Sequence, residues 1–360
     1  MKTFKNIIVF VLISAFILGL SGCSGSKQTE GQKDQNAESP KKLVIYTGRD
    51  PEVYNPVIDK FVEKYPEYKG NVQVLQMGAQ EILERIRAEK ENPQCDFWWG
   101  GTQDALETAT REGLLEPYKA SFDSAIPLEY KDKNGYWYGE IVLPEVIEYN
   151  SDALKPEDLP KDWDDLLDPK WKDKIIIRNV APSGTMRTIF AAMIYRQMKA
   201  TGDVEKGFEW LKKLDANTKE YAANPTDMHL KLARQEGLIS LWNLQDVLLQ
   251  KYVKNMPLDF AIPESGVPML VDGVAVVKNA KNVDGAKKFM EVLFEPDTQL
   301  MLSEKVFQIP TRSDLPKEKM PEWLKNLNLK AMDIDWEVLN KNVAAWIQRW
   351  EQEVKGKGKK

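Results

Sequence analysis

Ser183, Gly184 and Thr185 lie between an isoleucine-rich run and an apolar stretch, in the segment NVAPSGTMRT. The pattern predicts a buried strand over 174–179 and a helix over 185–200. The first turn of a helix carries unpaired backbone N–H groups and a partial positive charge, which favour an anion. Glycine would let a ligand approach the backbone closely. The alternative is that Ser183 or Thr185 only caps the helix.

Arg49 and several tryptophans also follow predicted strands. The Arg49 guanidinium could bind a phosphate or carboxylate through two hydrogen bonds, whereas a surface ion pair with Asp50 or Glu52 is the alternative. Tryptophan is most often a core residue, but its ring can also stack on a sugar. The strand-end tryptophans are Trp98, Trp99 and Trp242. Asn243 and Gln245 could supply neutral hydrogen bonds to a polar ligand.

The N-terminus predicts export and a lipid anchor. Residues 1–22 contain two lysines and an apolar run that is too short to span a membrane as a helix. The run ends in LSGC, which resembles the bacterial lipobox, and this resemblance implies that Cys23 becomes the lipid-bearing first residue of the mature chain. Residues 23–41 are polar and contain no aromatic side chain, so we expect a flexible tether.

Charge and residue usage exclude several functions. The net charge is −5, or about −7 without the leader lysines, and an acidic protein is a poor partner for nucleic acid. With His229 as the sole histidine and Cys95 as the sole cysteine besides Cys23, no zinc-type cluster is possible, and once Cys23 carries a lipid no internal disulfide is possible either. No Gly-x-Ser-x-Gly, His-Glu-x-x-His or P-loop motif marks a catalytic site, although the 55 acidic residues leave a glycosidase-type carboxylate pair open. We expect no enzymatic activity, cofactor or metal.

Three strand–helix units open the mature chain and predict a mostly parallel sheet. The third strand is expected at 95–99, ending at Gly100-Gly101. Residues 136–150 interrupt the alternation of strands and helices and are predicted to form two extended segments joined near Pro144. A final helix at about 333–353 has an apolar stripe that should pack on the body of the protein. Roughly 320 residues beyond the tether exceed the size of one core, which favours two lobes.

Three segments resemble the family-1 bacterial extracellular solute-binding proteins, in the branch that binds ferric iron, phosphonates and sugar phosphates. They are LVIYTGRDPEVYNPVIDKFVEKYP, CDFWWGGTQDALETATREGLLEPY and VDGVAVVKNAKNVDGAKKFMEVLFEPDTQ. The resemblance covers nearly all of residues 42–315. It implies an α/β, two-lobed periplasmic-binding-protein-like fold of type II, in which two strands cross between the lobes and the ligand lies in the cleft.

The resemblance also implies the domain boundaries. Residues 42–145 and 272–320 would form the N-terminal lobe and residues 146–271 the C-terminal lobe, followed by a C-terminal helix and basic tail at 321–360. The crossings would lie near Glu145–Asn150 and Met269–Val274. Glu140, Glu145 and Asp272 flank these crossings. A carboxylate that faced the cleft would favour a hydroxyl-rich or amine-bearing ligand, whereas surface or hinge roles are the alternative.

Ligands in open α/β sheets bind beyond the carboxyl ends of the strands. This rule selects the loops 47–50, 78–80, 98–102, 183–185 and 242–245. The candidate ligand-binding residues are Thr47, Arg49, Gly78, Ala79, Trp99, Gly100, Gly101, Ser183, Gly184, Thr185, Trp242, Asn243 and Asp272.

The resemblance predicts a substrate-binding lipoprotein that delivers a small polar solute to an ABC permease. We expect a monomer, held by the lipid on Cys23 at the outer face of the cytoplasmic membrane or in the periplasm. Ferric-binding relatives use an adjacent tyrosine pair, which is absent here, so an organic anion such as a sugar phosphate or phosphonate is favoured. Ferric iron, an amine-bearing solute and a ligand-sensing role beside a membrane histidine kinase are the alternatives.

Overall fold

The computed structural model of the protein describes residues 41–358, so the predicted leader, Cys23 and most of the tether lie outside the described residues. The strands are β1 Leu43–Thr47, β2 Val72–Gln76, β3 Phe97–Thr102, β4 Leu115–Glu116, β5 Tyr138–Asn150, β6 Ile175–Arg178, β7 Thr218–Ala222, β8 Ile239–Asn243, β9 Leu258–Ala261, β10 Met269–Val277 and β11 Ile309–Pro310. The helices are α1 Pro51–Lys64, α2 Ala79–Ala88, α3 Gln103–Arg111, α4 Gly184–Thr201, α5 Glu205–Asn217, α6 Pro225–Ala233, α7 Leu244–Tyr252, α8 Val283–Leu293, α9 Pro296–Val306, α10 Glu322–Lys325 and α11 Trp336–Glu353.

The sheet has two halves that share β5. Its main strand order is β2-β1-β3-β10-β5-β8-β6-β7. β1 pairs in parallel with β2 and β3, and β6 pairs in parallel with β7 and β8, while β5 and β10 run antiparallel to their neighbours. The carboxyl ends of the parallel strands therefore form one edge in each half, and the loops that follow them bring the candidate ligand-binding residues together. The predicted α/β fold class is confirmed.

β5 is one continuous strand, so the prediction of two segments joined near Pro144 is wrong. Residues up to Pro144 pair with β10, and residues from Glu145 onward pair with β8 and β9. Proline lacks an N–H and is tolerated where the pairing changes. The next N–H, from Glu145, donates to the carbonyl of Pro268 at 2.9 Å. The strand thus passes from one half of the sheet to the other without a break.

β3 runs through the two glycines at which the sequence predicted its end. Gly100 has φ of +100°, which only glycine adopts readily. Gly101 lies so close to Leu106 that an added Cβ would be 2.8 Å from its side chain. The pair Gly100-Gly101 therefore lets the strand continue under α3 rather than ending it. β7, whose side chains are only partly buried, was not predicted.

Each half of the sheet has its own core. The cores on the β1 side are built by residues such as Phe61, Phe97 and Phe289 on one face and Trp98 and Leu106 on the other. The large core on the β8 side includes Ile175–Ile177, Phe190 and Leu241. Cys95 is buried and unpaired. Among the described helices, none has the length and hydropathy needed to span a membrane.

α11 packs against α4 through the predicted apolar stripe, which is confirmed. Leu339, Val343, Trp346, Ile347 and Trp350 are all buried in the β8-side core. The ring of Trp350 makes an edge-to-face contact with Phe190 of α4, with centroids 5.0 Å apart. The C-terminal helix is therefore an integral part of that core.

Truncation of Ile347 to alanine should destabilise the protein. Ile347 is 1% exposed, and a buried isoleucine-to-alanine change costs about 2–5 kcal/mol. We expect this loss in the free energy of unfolding measured by urea titration. The control is Gln348→Ala on the exposed face of the same helix, which should change stability by less than about 0.5 kcal/mol. Equal stability of the two variants would contradict the packing of α11.

Candidate functional site

Loops from the two halves of the sheet meet in direct contact. A Cβ added to Gly184, at the start of α4, would lie 2.3 Å from the Thr102 side chain and 3.2 Å from Ala79 Cβ. A Cβ added to Gly78 would lie 2.4 Å from the carbonyl oxygen of Pro182. The N-termini of α2, α3 and α4 therefore converge. Three helix dipoles with their positive ends directed at one place favour a negative charge there.

Salt bridges also join the two halves. Lys254, which follows α7, lies 2.5 Å from the Asp50 carboxylate in the β1–α1 loop. Arg187, in the first turn of α4, lies 4.0 Å from Asp104 in the first turn of α3. These contacts hold the loops at the two carboxyl edges together.

Ser183 caps α4. Its Oγ accepts the N–H of Met186 at 3.2 Å, so the capping alternative is observed. The hydroxyl can still donate its own hydrogen to a ligand. Ser183 and Thr185 are both buried, at 4% and 9% exposure, and they lie at the convergence of the three helix N-termini.

Arg178 is a buried cation that sequence reasoning missed. It ends β6, and one guanidinium nitrogen donates to the Asn179 carbonyl at 2.8 Å. The other terminal nitrogen reaches toward the opposite half, 3.1 Å from where a Cβ on Gly78 would be. Within residues 41–358, no carboxylate forms an ion pair with Arg178. Burial lowers its pKa, with Glu81 opposing the change, yet a guanidinium stays charged in proteins.

Arg49 is buried and paired with two carboxylates. Its terminal nitrogens lie 3.1 Å from Glu140 Oε2 and 2.9 Å from Asp272 Oδ2. Trp99 Nε1 donates to the same Glu140 oxygen at 2.7 Å. The surface pairing with Asp50 or Glu52 considered from the sequence is therefore wrong. Since its charge is already balanced within the protein, Arg49 is a poorer anion ligand than Arg178.

The other predicted residues of the β1 half surround Arg49. Thr47 Oγ1 accepts the N–H of Arg49 at 3.0 Å. A Cβ on Gly100 would lie 3.7 Å from Asp272 Oδ2 and 3.9 Å from Arg49 Cζ. The indole of Trp99 is fully buried and packs edge-to-face on Phe289, so it acts through its N–H and not as a stacking surface.

Glu145 is fully buried at the carboxyl edge of the β8 half. It pairs across the strands with Asn243, and Asn243 in turn caps α7 and donates to Asp246 Oδ2 at 3.1 Å. Trp242 Nε1 donates to the same oxygen at 2.8 Å. Among the described residues, neither oxygen of Glu145 has a hydrogen-bond partner. Burial, with Asp246 and Asp272 nearby, raises the pKa of Glu145 well above its ordinary value.

His229 contacts Trp242 and Glu148 and does not belong to a metal site. Its Nδ1 is 2.8 Å from Glu148 Oε1, and both side chains are buried. Its ring stands edge-to-face to Trp242, with centroids 6.1 Å apart. In the described part of the chain, no group of three or more histidine, cysteine, aspartate or glutamate side chains is arranged to hold a metal ion.

The comparisons with known proteins place the chain in a family. Residues 100–342 match the model described as "Bacterial extracellular solute-binding protein", and the chain belongs to this family. Iron uptake protein A1 of Synechocystis is 26% identical and covers 78% of both chains. A putative 2-aminoethylphosphonate-binding periplasmic protein of Salmonella typhimurium is 25% identical over 78% of this chain and 82% of its own.

A solved structure shares the architecture. The periplasmic binding protein AfuA of Actinobacillus pleuropneumoniae, with fructose-6-phosphate bound, has a TM-score of 0.74 and 27% identity, and the match covers 88% of this chain and 99% of that one. The predicted family, two-lobed fold and solute-binding function are confirmed. We call the β1 half of the sheet the first lobe and the β8 half the second lobe.

The His229–Glu148 pair should make stability fall as pH rises. Burial alone would lower the pKa of His229, but Glu148, Asp246 and Asp50 together raise it above 6.5. The contribution is therefore fully present below about pH 6.5 and is lost as pH rises through the raised pKa. We expect urea titrations at a series of pH values to show this decline, and to show a weaker one in His229→Gln. An unchanged pH dependence in the variant would contradict the pair.

Proposed function

We propose that the protein is the substrate-binding lipoprotein of an ABC importer and that its ligand carries a phosphate or phosphonate group. One observation supports this most strongly. The Arg178 guanidinium is buried between the lobes without a carboxylate partner among residues 41–358, beside the N-termini of α2 and α4. An unpaired buried cation is costly, and an anionic ligand would remove that cost.

The ligand anion would be bound mainly by the second lobe. Arg178 would supply a charge-assisted pair of hydrogen bonds, and Ser183, Gly184 and Thr185 would supply hydroxyl and backbone donors. Gly78, Ala79 and Gly101 would close over the anion from the first lobe. Glu81 and Asp104 also lie at these helix starts, but Glu81 already accepts the N–H of Gly78 at 2.7 Å and Asp104 accepts the hydroxyl of Thr102 at 2.6 Å.

Ferric iron is a weaker candidate for this site. Direct binding needs several oxygen or nitrogen ligands on one ion, and in the described residues no group of three or more histidine, cysteine, aspartate or glutamate side chains is arranged for this. A phosphorylated or phosphonate solute agrees better with the converging helix N-termini. The names of the Salmonella protein and of the AfuA complex are consistent with such solutes.

Closure would signal that ligand is bound. A ligand that contacts both lobes stabilises the closed state, so its binding shifts the population toward the form that the permease recognises. The solute would be released chemically unchanged, as expected of a carrier and not of an enzyme. We further propose that the carrier is a monomer.

A lipid on Cys23 would hold the carrier near the permease, with residues 23–41 as the tether. Cys23→Ser should therefore move the protein from the membrane fraction to the soluble fraction of the cell envelope. Metabolic labelling with a fatty acid checks the same point. Labelling of the variant would contradict lipid attachment at Cys23.

Removal of the Arg178 charge should weaken binding of phosphate esters. Arg178→Met keeps an unbranched apolar stem but loses the charged hydrogen bonds, which contribute about 1.5–3 kcal/mol. We expect affinity to fall about 10- to 100-fold, measured by isothermal titration with phosphate esters and phosphonates that give a thermal shift with the native chain.

The matched control is Arg196→Met. Arg196 is on α4, the helix that Ser183 caps, but it pairs with Asp164 at 2.8 Å. Removal of the Arg196 charge should therefore leave affinity for phosphate esters unchanged. If Arg178→Met binds every phosphate compound as tightly as the native chain, the anion site is wrong. A thermal shift with ferric citrate alone would favour the iron alternative.

A further inference from the structure

Lysine side chains are concentrated at the edge of the first lobe that lies opposite the candidate site. β1, β2 and β3 begin at this edge, and the antiparallel β10 ends there. β1 and β3 have five and six residues, which puts this edge about 15–20 Å from the carboxyl ends of the strands, where the candidate site lies. We call five exposed lysines of this edge the amino-edge lysines: Lys42, Lys69, Lys90, Lys278 and Lys281.

Three of the amino-edge lysines surround one cavity. Lys90, after α2, and Lys278, after β10, both line a cavity of about 280 Å³. Pro93 lines it as well, and Lys281 Nζ donates to the Oε1 of Gln94, the next residue, at 2.9 Å. The three ammonium groups therefore belong to one surface.

The other two amino-edge lysines lie beside them, near the starts of β1 and β2. The side chain of Asn282 donates to the carbonyl oxygen of Lys42 at 2.8 Å. The N–H of Leu43 donates to the carbonyl oxygen of Asn71 at 3.0 Å, which puts the turn that carries Lys69 next to Lys42. The five lysines thus share one continuous surface.

Positive charge exceeds negative charge on this surface. Within residues 41–358, none of the amino-edge lysines forms a salt bridge. Glu67, Glu91 and the buried Asp96 bring three negative charges to the same edge, against five positive ones. Glu112, which also lines the cavity, is already paired with Arg87 at 2.6 Å. This edge is therefore positive, although the chain as a whole has a net charge of −5.

The predicted tether joins the folded protein at this edge. Lys42 directly precedes β1, and residues 23–41 connect it to Cys23. A flexible chain of this length has an end-to-end distance of about 25 Å. A lipid on Cys23 would therefore hold the amino-edge lysines nearer to the membrane surface than the candidate site.

We propose that the amino-edge lysines bind anionic phospholipid headgroups of the membrane in which the lipid on Cys23 is inserted. The inference rests on the lipid attachment given under the proposed function, and it is independent of the solute. Each lysine close to an anionic membrane surface strengthens binding about fivefold. An acidic protein segment would match the same charges, but the tether places this surface next to lipid. The bound protein faces the membrane with one edge of the first lobe, so the candidate site on the opposite edge stays open to the surrounding medium.

The test separates the lysine surface from the lipid anchor. The mature chain with Cys23→Ser is sedimented with vesicles of phosphatidylcholine, and with vesicles of phosphatidylcholine and phosphatidylglycerol in equal parts. We expect the partition coefficient at low salt to be at least ~10-fold higher for the anionic vesicles. The preference should disappear at about 0.5 M salt, because the Debye length then falls to a few ångströms.

Variants without these charges show which residues carry the preference. The triple variant Lys90→Gln, Lys278→Gln and Lys281→Gln should lose the preference for anionic vesicles, because it removes three of the five positive charges. The matched control removes three exposed lysines from the second lobe: Lys161→Gln, Lys172→Gln and Lys174→Gln. The control should keep the preference. Both triple variants should bind phosphate esters as tightly as the native chain, because the substituted lysines lie away from the candidate site.

Equal binding of the Cys23→Ser chain to the two kinds of vesicle would overturn the inference. A preference that survives in the amino-edge triple variant, or that is lost equally in the control, would also overturn it. So would the absence of fatty-acid labelling on Cys23 of the native chain, because the edge would then not be held at a membrane. Failure of every phosphate compound to bind would instead refute the proposed solute and leave the vesicle result standing.

Discussion

The buried pairing of Arg49 with Glu140 and Asp272 is the interaction on which the cleft depends. It joins the β1–α1 loop to β5 and β10, the two strands at the crossing between the lobes. Because Arg49 is the buried cation between these two buried carboxylates, removal of Arg49 would leave both of them uncompensated, which is strongly destabilising. The trio therefore fixes the cleft floor, and the same trio leaves Arg49 unavailable as an anion ligand.

The rest of the site follows from this arrangement. Buried carboxyl groups, including Glu145 and Asp272, lie at the floor, whereas Arg178 lies beside the converging starts of α2, α3 and α4. A ligand held at these helix starts contacts both lobes and favours their closure. Each lobe has its own core, as closure of the lobes around the strand crossing would require.

Local patterns made much of the fold predictable, and long-range pairing made the rest unpredictable. The α4 start at Ser183 and the stripe on α11 depend on neighbouring residues, so their sequence patterns were informative. From the sequence, Pro144 predicted a break in the strand. The structure accommodates Pro144 because β5 changes its pairing partners there, and those partner strands are distant in the sequence. β7 was missed because its side chains are only partly buried.

The roles of the charged residues in the site also depend on partners that are distant in the sequence. Arg49 was considered as an anion ligand because its partner Glu140 is 91 residues away in the chain. Arg178 was overlooked because it ends an isoleucine strand and its sequence neighbours carry no sign of a ligand; its position at the carboxyl end of a predicted strand, before a predicted helix start, was the available signal. Glu145 was among the candidates flanking the crossings, but its lack of a partner is visible only in three dimensions.

The most direct measurement is the mass spectrum of small molecules released by denaturing the protein after purification from its bacterial host. The account predicts one dominant compound that carries a phosphate or phosphonate group. Release of iron, of a neutral sugar, or of another compound without such a group would contradict it.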